Sequence, residues 1–177
     1  DICVVNLYSG WNLVAFPCIV KNESIKSVLS QVAGSIMSVH TYNSSDQIDP
    51  WKAYNPDLPE WVVQDLGDVH RLNGYWVKVT SQGQVLMLGN LTSPTPVRLK
   101  SGWNLVAYPS KNKAPVNESV SSLSYLQEIW AYNTTDTSDH WKIYSPSLNP
   151  DLNDLQYFLP STGYWMYLTK EERWIVD

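Results

Sequence analysis

The stretch Ser9-Gly10-Trp11-Asn12-Leu13-Val14-Ala15-Phe16-Pro17 returns as Ser101-Gly102-Trp103-Asn104-Leu105-Val106-Ala107-Tyr108-Pro109, with eight of nine residues identical at an offset of 92. A chain with this coincidence is a tandem duplication, so the fold of the first copy must also be the fold of the second. Tyr42-Asn43-Ser44-Ser45-Asp46, Asp49, Trp51-Lys52 and Tyr54 match Tyr132-Asn133-Thr134-Thr135-Asp136, Asp139, Trp141-Lys142 and Tyr144 at an offset of 90. Gly74-Tyr75-Trp76 matches Gly163-Tyr164-Trp165 at 89. The offset drifts by only three residues, so loops have shortened and the order is kept. The spacing predicts two small homologous domains, residues 1–92 and 93–177, each too long for a solenoid repeat.

Within each unit, Val4, Val5 and Leu7 read as a strand, Ser9-Gly10 as a turn, and Trp11 to Phe16 as a returning strand, together a hairpin. The second strand is apolar on both faces and is expected to be covered on both, with Trp11 and Trp103 in equivalent buried places. Ile25, Val28, Leu29 and Val32 recur at helical spacing after Asn22-Glu23-Ser24 and before Gly34, which predicts one amphipathic helix. Val120 and Leu123 give a shorter version after Asn117-Glu118-Ser119. Strands follow over 38–42, 51–54, 74–79 and 85–88, and over 128–132, 141–144, 163–168 and 173–176. Residues 57–73 and 147–162 are irregular and differ most between the copies. The Pro-containing segment 90–96 is a short linker, expected to hold the units semi-rigidly. The fold class is therefore α+β, mostly antiparallel, each unit a β-hairpin, one helix and about four further strands.

Charged residues make up 16% of the chain and the net charge is −5, with no run of Lys or Arg. Nucleic acid needs clustered cations, so it is not an expected partner. No apolar stretch reaches the ~18 residues of a membrane span. The chain starts at Asp1 and is read as a mature or excised piece of a longer protein.

Two features point outside the cell. Five Asn-x-Ser/Thr sequons, at Asn22, Asn43, Asn90, Asn117 and Asn133, are candidate glycosylation sites, and four of them fall into two matched pairs. Cys3 and Cys18 flank the Ser9-Gly10 turn, while their counterparts are Thr95 and Ser110. Both cysteines are present in one copy and both absent from the other, which predicts a Cys3–Cys18 disulfide and an oxidising, extracellular or cell-surface location.

Signs of chemistry are few. His40, His70 and His140 fall at unmatched repeat positions and lack metal-site spacing. No nucleophile elbow or phosphate-cradling loop occurs. An enzyme is not expected, nor a cofactor. The metal candidates are the turn pairs Asp46 with Asp49 and Asp136 with Asp139, where two carboxylates three apart could join carbonyls around calcium. Nine Trp and eleven Tyr stand against two Phe. Most of the repeated aromatics read as core. Trp61 and Tyr157, in the divergent segments, and Trp76 and Trp165, on the more polar face of their strand, are the candidate ligand-contacting aromatics.

The pattern carried by Gly10, Trp11, Asn12, Leu13, Pro17, Tyr42, Trp51, Tyr54, Pro56, Gly74, Tyr75, Trp76 and their partners resembles tandem modules of archaeal and bacterial secreted or surface-layer-type proteins. The resemblance implies a non-catalytic, extracellular structural or adhesive module. The expected partners are other envelope or surface proteins, or cell-surface carbohydrate. The alternative reading is a carbohydrate-binding accessory domain of a secreted enzyme.

Overall fold

A computed structural model describes residues 1–19 and 21–177. Among the described residues sixteen strands run in two sets of eight. The first half holds β1 (Ile2–Leu7), β2 (Gly10–Ala15), β3 (Glu23–Ser24), β4 (Ile36–Tyr42), β5 (Trp51–Tyr54), β6 (Asp68–Val69), β7 (Gly74–Val79) and β8 (Gly83–Leu88). The second holds β9 (Thr95–Leu99), β10 (Gly102–Ala107), β11 (Ala114–Pro115), β12 (Leu126–Tyr132), β13 (Trp141–Tyr144), β14 (Tyr157–Phe158), β15 (Gly163–Leu168) and β16 (Glu172–Val176). Each half builds a four-stranded antiparallel sheet, β2-β7-β4-β5 or β10-β15-β12-β13. A two-stranded sheet, β1-β8 or β16-β9, covers its inner face, and a small pair, β3-β6 or β11-β14, closes the end.

The protein is mostly antiparallel β, with 44% of residues in strands and 10% helical. The expected helix is reduced to one α-turn, α1 (Ile25–Val28), followed by a 3-10 segment over Ser30–Ser35 that is broken at Val32. Ser24 caps α1 by accepting from the Ser27 N–H at 3.2 Å, and Ile25, Val28, Leu29 and Val32 are all buried as their spacing requires. A cap and four apolar residues suffice to seat one turn, but Ser27, Ser30 and the β-branched Ile25, Val28 and Val32 supply little propensity to extend it. In the second half α2 (Val116–Ser119) contains Asn117-Glu118-Ser119 and begins after Pro115. Asn22-Glu23-Ser24 instead precedes its helix, so these two sequons are not structural equivalents.

The expected hairpin between the first two strands does not form. β1 pairs with β8 and β2 with β7, so the chain turns a corner at Ser9-Gly10 from one sheet into the other. The burial patterns explain the separation. β1 alternates exposed and buried, which suits a sheet with one solvent face. β2 is buried on both faces and has to lie between two layers. The corner is pinned by Asn12, which is 2% exposed. Its Oδ1 accepts from the Tyr8 N–H at 2.8 Å, and its Nδ2 donates to the carbonyls of Tyr8, Gly10 and Val77 at 2.8, 3.1 and 3.2 Å. Asn104 repeats the arrangement with Lys100, Gly102 and Met166. Gly10 and Gly102 take φ of 100° and 91°, where a side chain would be strained.

The disulfide joins Cys3 to Cys18 with 6.0 Å between Cα atoms. It ties β1 to the chain leaving β2, so it staples the two sheets rather than adjacent strands. Thr95 and Ser110 stand at the same places in the second half, buried and hydrogen-bonded to nearby groups. Inside each half, Val5, Leu7, Val14, Phe16, Val39, Tyr75, Val77 and Val85, or Val97, Leu99, Val106, Tyr108, Ile129, Tyr164, Met166 and Trp174, fill the core.

The outer faces of the two four-stranded sheets meet. β2 and β10 are edge strands, and each edge is closed by the other half. Ala15 N–H donates to Ser161 O at 3.0 Å, and the equivalent Ala107 N–H donates to Leu72 O at 2.9 Å. Bridges Val14–Thr162 and Asn73–Val106 form a second reciprocal pair. The relation is a pseudo-two-fold, and each half presents the same patch to the other. Gly74 and Gly163 lie where the backbones come closest. A Cβ on Gly163 would stand 2.9 Å from Val14 O, and one on Gly74 would stand 3.0 Å from the Leu105 side chain.

Candidate functional site

Strand alternation puts Trp11, Trp51 and Trp76 with His40 and Tyr42 on the outer face of the first sheet. It puts Trp103, Trp130, Trp141 and Trp165 with Tyr132 on that of the second. Seven tryptophans thus gather where the halves meet. Trp76 reaches across to Tyr132 and Trp141, with ring centroids at 5.1 and 5.7 Å. Trp165 reaches back to Tyr42 and Trp51 at 5.3 and 5.6 Å. All four contacts are edge-to-face, the geometry ring quadrupoles favour. Thr134 Oγ1 adds a hydrogen bond across the junction, to Trp11 O at 2.6 Å.

Trp11 and Trp103 do occupy equivalent places, but they are half-buried, not core residues. Their strand is covered on both faces, as its sequence requires. The second cover is the other half, and each indole sits at the rim of that junction, above Leu13 or Leu105. Trp76 and Trp165 are half-buried on the face alternation assigns them, while Tyr75 and Tyr164 lie inside. Trp61 is 83% exposed on its loop. Tyr157 is exposed as well, with the Lys113 ammonium 4.8 Å over its ring. Neither joins the aromatic junction.

Two aromatic clefts open at this junction. One, about 520 Å³, is lined by Trp103, Trp130, Trp141, Trp165 and Tyr42. The other, about 320 Å³, is lined by Trp11, Trp76, Tyr132 and Trp141. Under the pseudo-two-fold, Tyr42 and Tyr132 exchange roles, each lining the cleft of the opposite half. The sequence shows these rings to be repeated, except Trp130, whose counterpart is His40, and the pairing of β4 with β5 sets Tyr42 opposite Trp51. Nothing in it shows which two faces are brought together.

The acidic turns close on lysines. Asp46 Oδ2 lies 2.9 Å from Lys52 Nζ and Asp136 Oδ2 2.8 Å from Lys142 Nζ, with Asp49 and Asp139 at 3.7 and 3.3 Å from the same ammonium groups. Asp46 Oδ1 also accepts from the Ile48 and Asp49 N–H groups. The Lys142, Ser138 and Asp139 hydrogen bonds hold the Asp136 carboxyl down at about 2. Donation from the Asp49 N–H and then Lys52 lowers Asp46 in the same sense. Each acidic pair is thus neutralised by one of the protein's own cations. Among the described residues no group of three or more His, Cys, Asp or Glu could hold a metal.

The histidines are scattered. His40 leans on Trp11 at 5.7 Å and its pKa is lowered by burial, against a smaller opposing effect of Asp65. His140 stacks on Tyr132 at 4.8 Å, and its Nδ1 lies 2.9 Å from Asn133 O. His70 is exposed. All five sequon asparagines are exposed. Asn43 and Asn133 stand at matching turns, where each side-chain carbonyl accepts from the N–H two residues on, at 3.0 and 3.1 Å. No helix among the described residues is long and apolar enough to cross a membrane. No protein-family model, characterised protein or solved structure matches the chain.

Proposed function

We propose that this protein is a non-catalytic extracellular module with a structural or adhesive role in a cell-surface or secreted protein, related to the surface-layer-type repeats its motif resembles. Its repeat units, 1–92 and 93–177, are joined by the aromatic contacts of their junction. The observation that carries this reading is the use made of the repeated motif. Ser9, Gly10 and Asn12 build the corner, Val14 and Phe16 enter the core, and Trp11, Leu13 and Ala15 face the other half. Each shared position serves the fold or the junction, and none is set aside for a reacting group. The disulfide is of the kind that persists in oxidising compartments. The exposed sequon asparagines are compatible acceptors for glycans.

Carbohydrate binding is the second reading, favoured by the exposed indole of Trp61 and the exposed ring of Tyr157. Intact-mass analysis of the chain recovered from its native cells tests the extracellular assignment. An oxidised chain bearing sugar at Asn43 or Asn133 supports it, and a reduced, unmodified chain overturns it. Binding of purified envelope polysaccharide that is lost in Trp61→Ala would move the second reading ahead.

A further inference from the structure

The two aromatic clefts open on corresponding faces of the two halves and are flanked by opposite charge. In the first half the outer face of β7 carries Lys78, paired opposite Trp11, and the Lys78 ammonium lies 5.4 Å over the Trp11 ring. The neighbouring position on β4 is the neutral Ser38. In the second half the equivalents of Lys78 and Ser38 are Tyr167 and Glu128, cross-strand partners on the corresponding face. The first cleft is therefore flanked by the chain's own cation, held against Trp11, one of the rings that line it. The other has lost that cation, gained a carboxylate on the same face, and replaced the imidazole of His40 by the indole of Trp130.

We propose that the cleft lined by Trp103, Trp130, Trp141, Trp165 and Tyr42 binds a quaternary ammonium group. Indole faces are negative and attract a cation that is shed of water, and four indoles line this space. The five lining side chains offer four indole N–H donors and one phenol hydroxyl, with no carboxylate or amide among them. A primary ammonium would bring three N–H donors to a lining with one side-chain acceptor, whereas a quaternary ammonium has no donor to satisfy. A neutral sugar would find little there to meet its hydroxyls. Glu128 and the chain's net charge of −5 add attraction for a cation. The first half shows an ammonium already accommodated against the homologous Trp11 ring.

Titration of the full chain with tetramethylammonium or choline, followed by tryptophan fluorescence and calorimetry against sodium chloride of equal ionic strength, tests the proposal. Saturable binding is expected, with choline at least about tenfold tighter than its uncharged carbon isostere dimethylbutanol. Trp130→His, which restores the first-half residue, should weaken binding by about tenfold. Glu128→Lys places a cation on the same face and should abolish binding while leaving every ring in place, so it tests the idea even if Trp130→His unfolds. Equal affinity for the isostere would make the cleft merely apolar and overturn the proposal. So would a saturating oligosaccharide in a cleft that ignores both cations, or unchanged binding in Glu128→Lys.

Discussion

A Cβ built on Gly163 would lie 3.2 Å from the Cα of Gly74, so the backbones of the two halves pass each other almost in contact. The Gly-Tyr-Trp motif begins with glycine for that reason. Gly163→Ala presses on Val14 O at 2.9 Å, which is backbone and can move only with its strand. The nearest obstacle to Gly74→Ala is the Leu105 side chain, which can rotate, although Val106 O follows at 3.1 Å. Both substitutions should destabilise, Gly163→Ala by about 1–3 kcal/mol and Gly74→Ala by less. Equilibrium urea unfolding of the two variants measures the order.

Trp174 is fully buried and donates its indole N–H to Ser119 O at 2.9 Å, whereas Trp103 is half-buried at the rim of the junction. Trp174→Ala should cost about 3–5 kcal/mol, and Trp103→Ala about half that. Thermal unfolding of both variants compares them. An equal or larger loss at Trp103 would make it part of a core.

Asn104→Ala leaves the Lys100 N–H and carbonyl without their partner at the corner between β9 and β10. A loss of about 1–3 kcal/mol is expected. The amide of Lys100 should at the same time exchange with solvent faster, which hydrogen exchange read by mass spectrometry detects.

The disulfide closes a span of 15 residues in the first half. The double substitution Cys3→Ser with Cys18→Ser should cost about 3 kcal/mol through the freer unfolded chain. Denaturant midpoints of the variant and of the wild type with and without reductant test this, and a midpoint indifferent to reductant would sink it.

Burial pushes the Tyr75 hydroxyl from its ordinary 10.0 up to about 12, against donation from the His70 N–H. Burial raises Tyr164 as well. Both hydroxyls are neutral in the folded state at a pH where the unfolded chain ionises. Their stabilising contribution is complete below pH 10 and is lost as pH rises towards 12. The share of the tyrosinate absorbance that belongs to Tyr75 and Tyr164, two of eleven tyrosines, should therefore appear only together with unfolding. Tyr75→Phe should shift the alkaline unfolding midpoint upward.

The sequence by itself determined the duplication, the boundaries of β5 and β7 and of their copies, the place of β4 and β12 without their first two residues, the disulfide partners, and the face on which Trp76 lies. Each is a local or periodic property: side chains alternate along a strand, and a repeated peptide must repeat its fold. Tertiary structure decided the rest. Whether Ser9-Gly10 closes a hairpin or turns a corner depends on which partner each strand finds, and the turn residues suit both. The helix shrank to one turn because burying four apolar residues does not require helix through all of them. The tryptophans read as core because a face apolar in sequence must be covered, and nothing local distinguishes cover by the same half from cover by the other. The clefts exist only once two distant copies present the same face to one another. The opposite charges beside them then follow from single residues, Lys78 against Tyr167 and Ser38 against Glu128, that the chain holds about 90 positions apart.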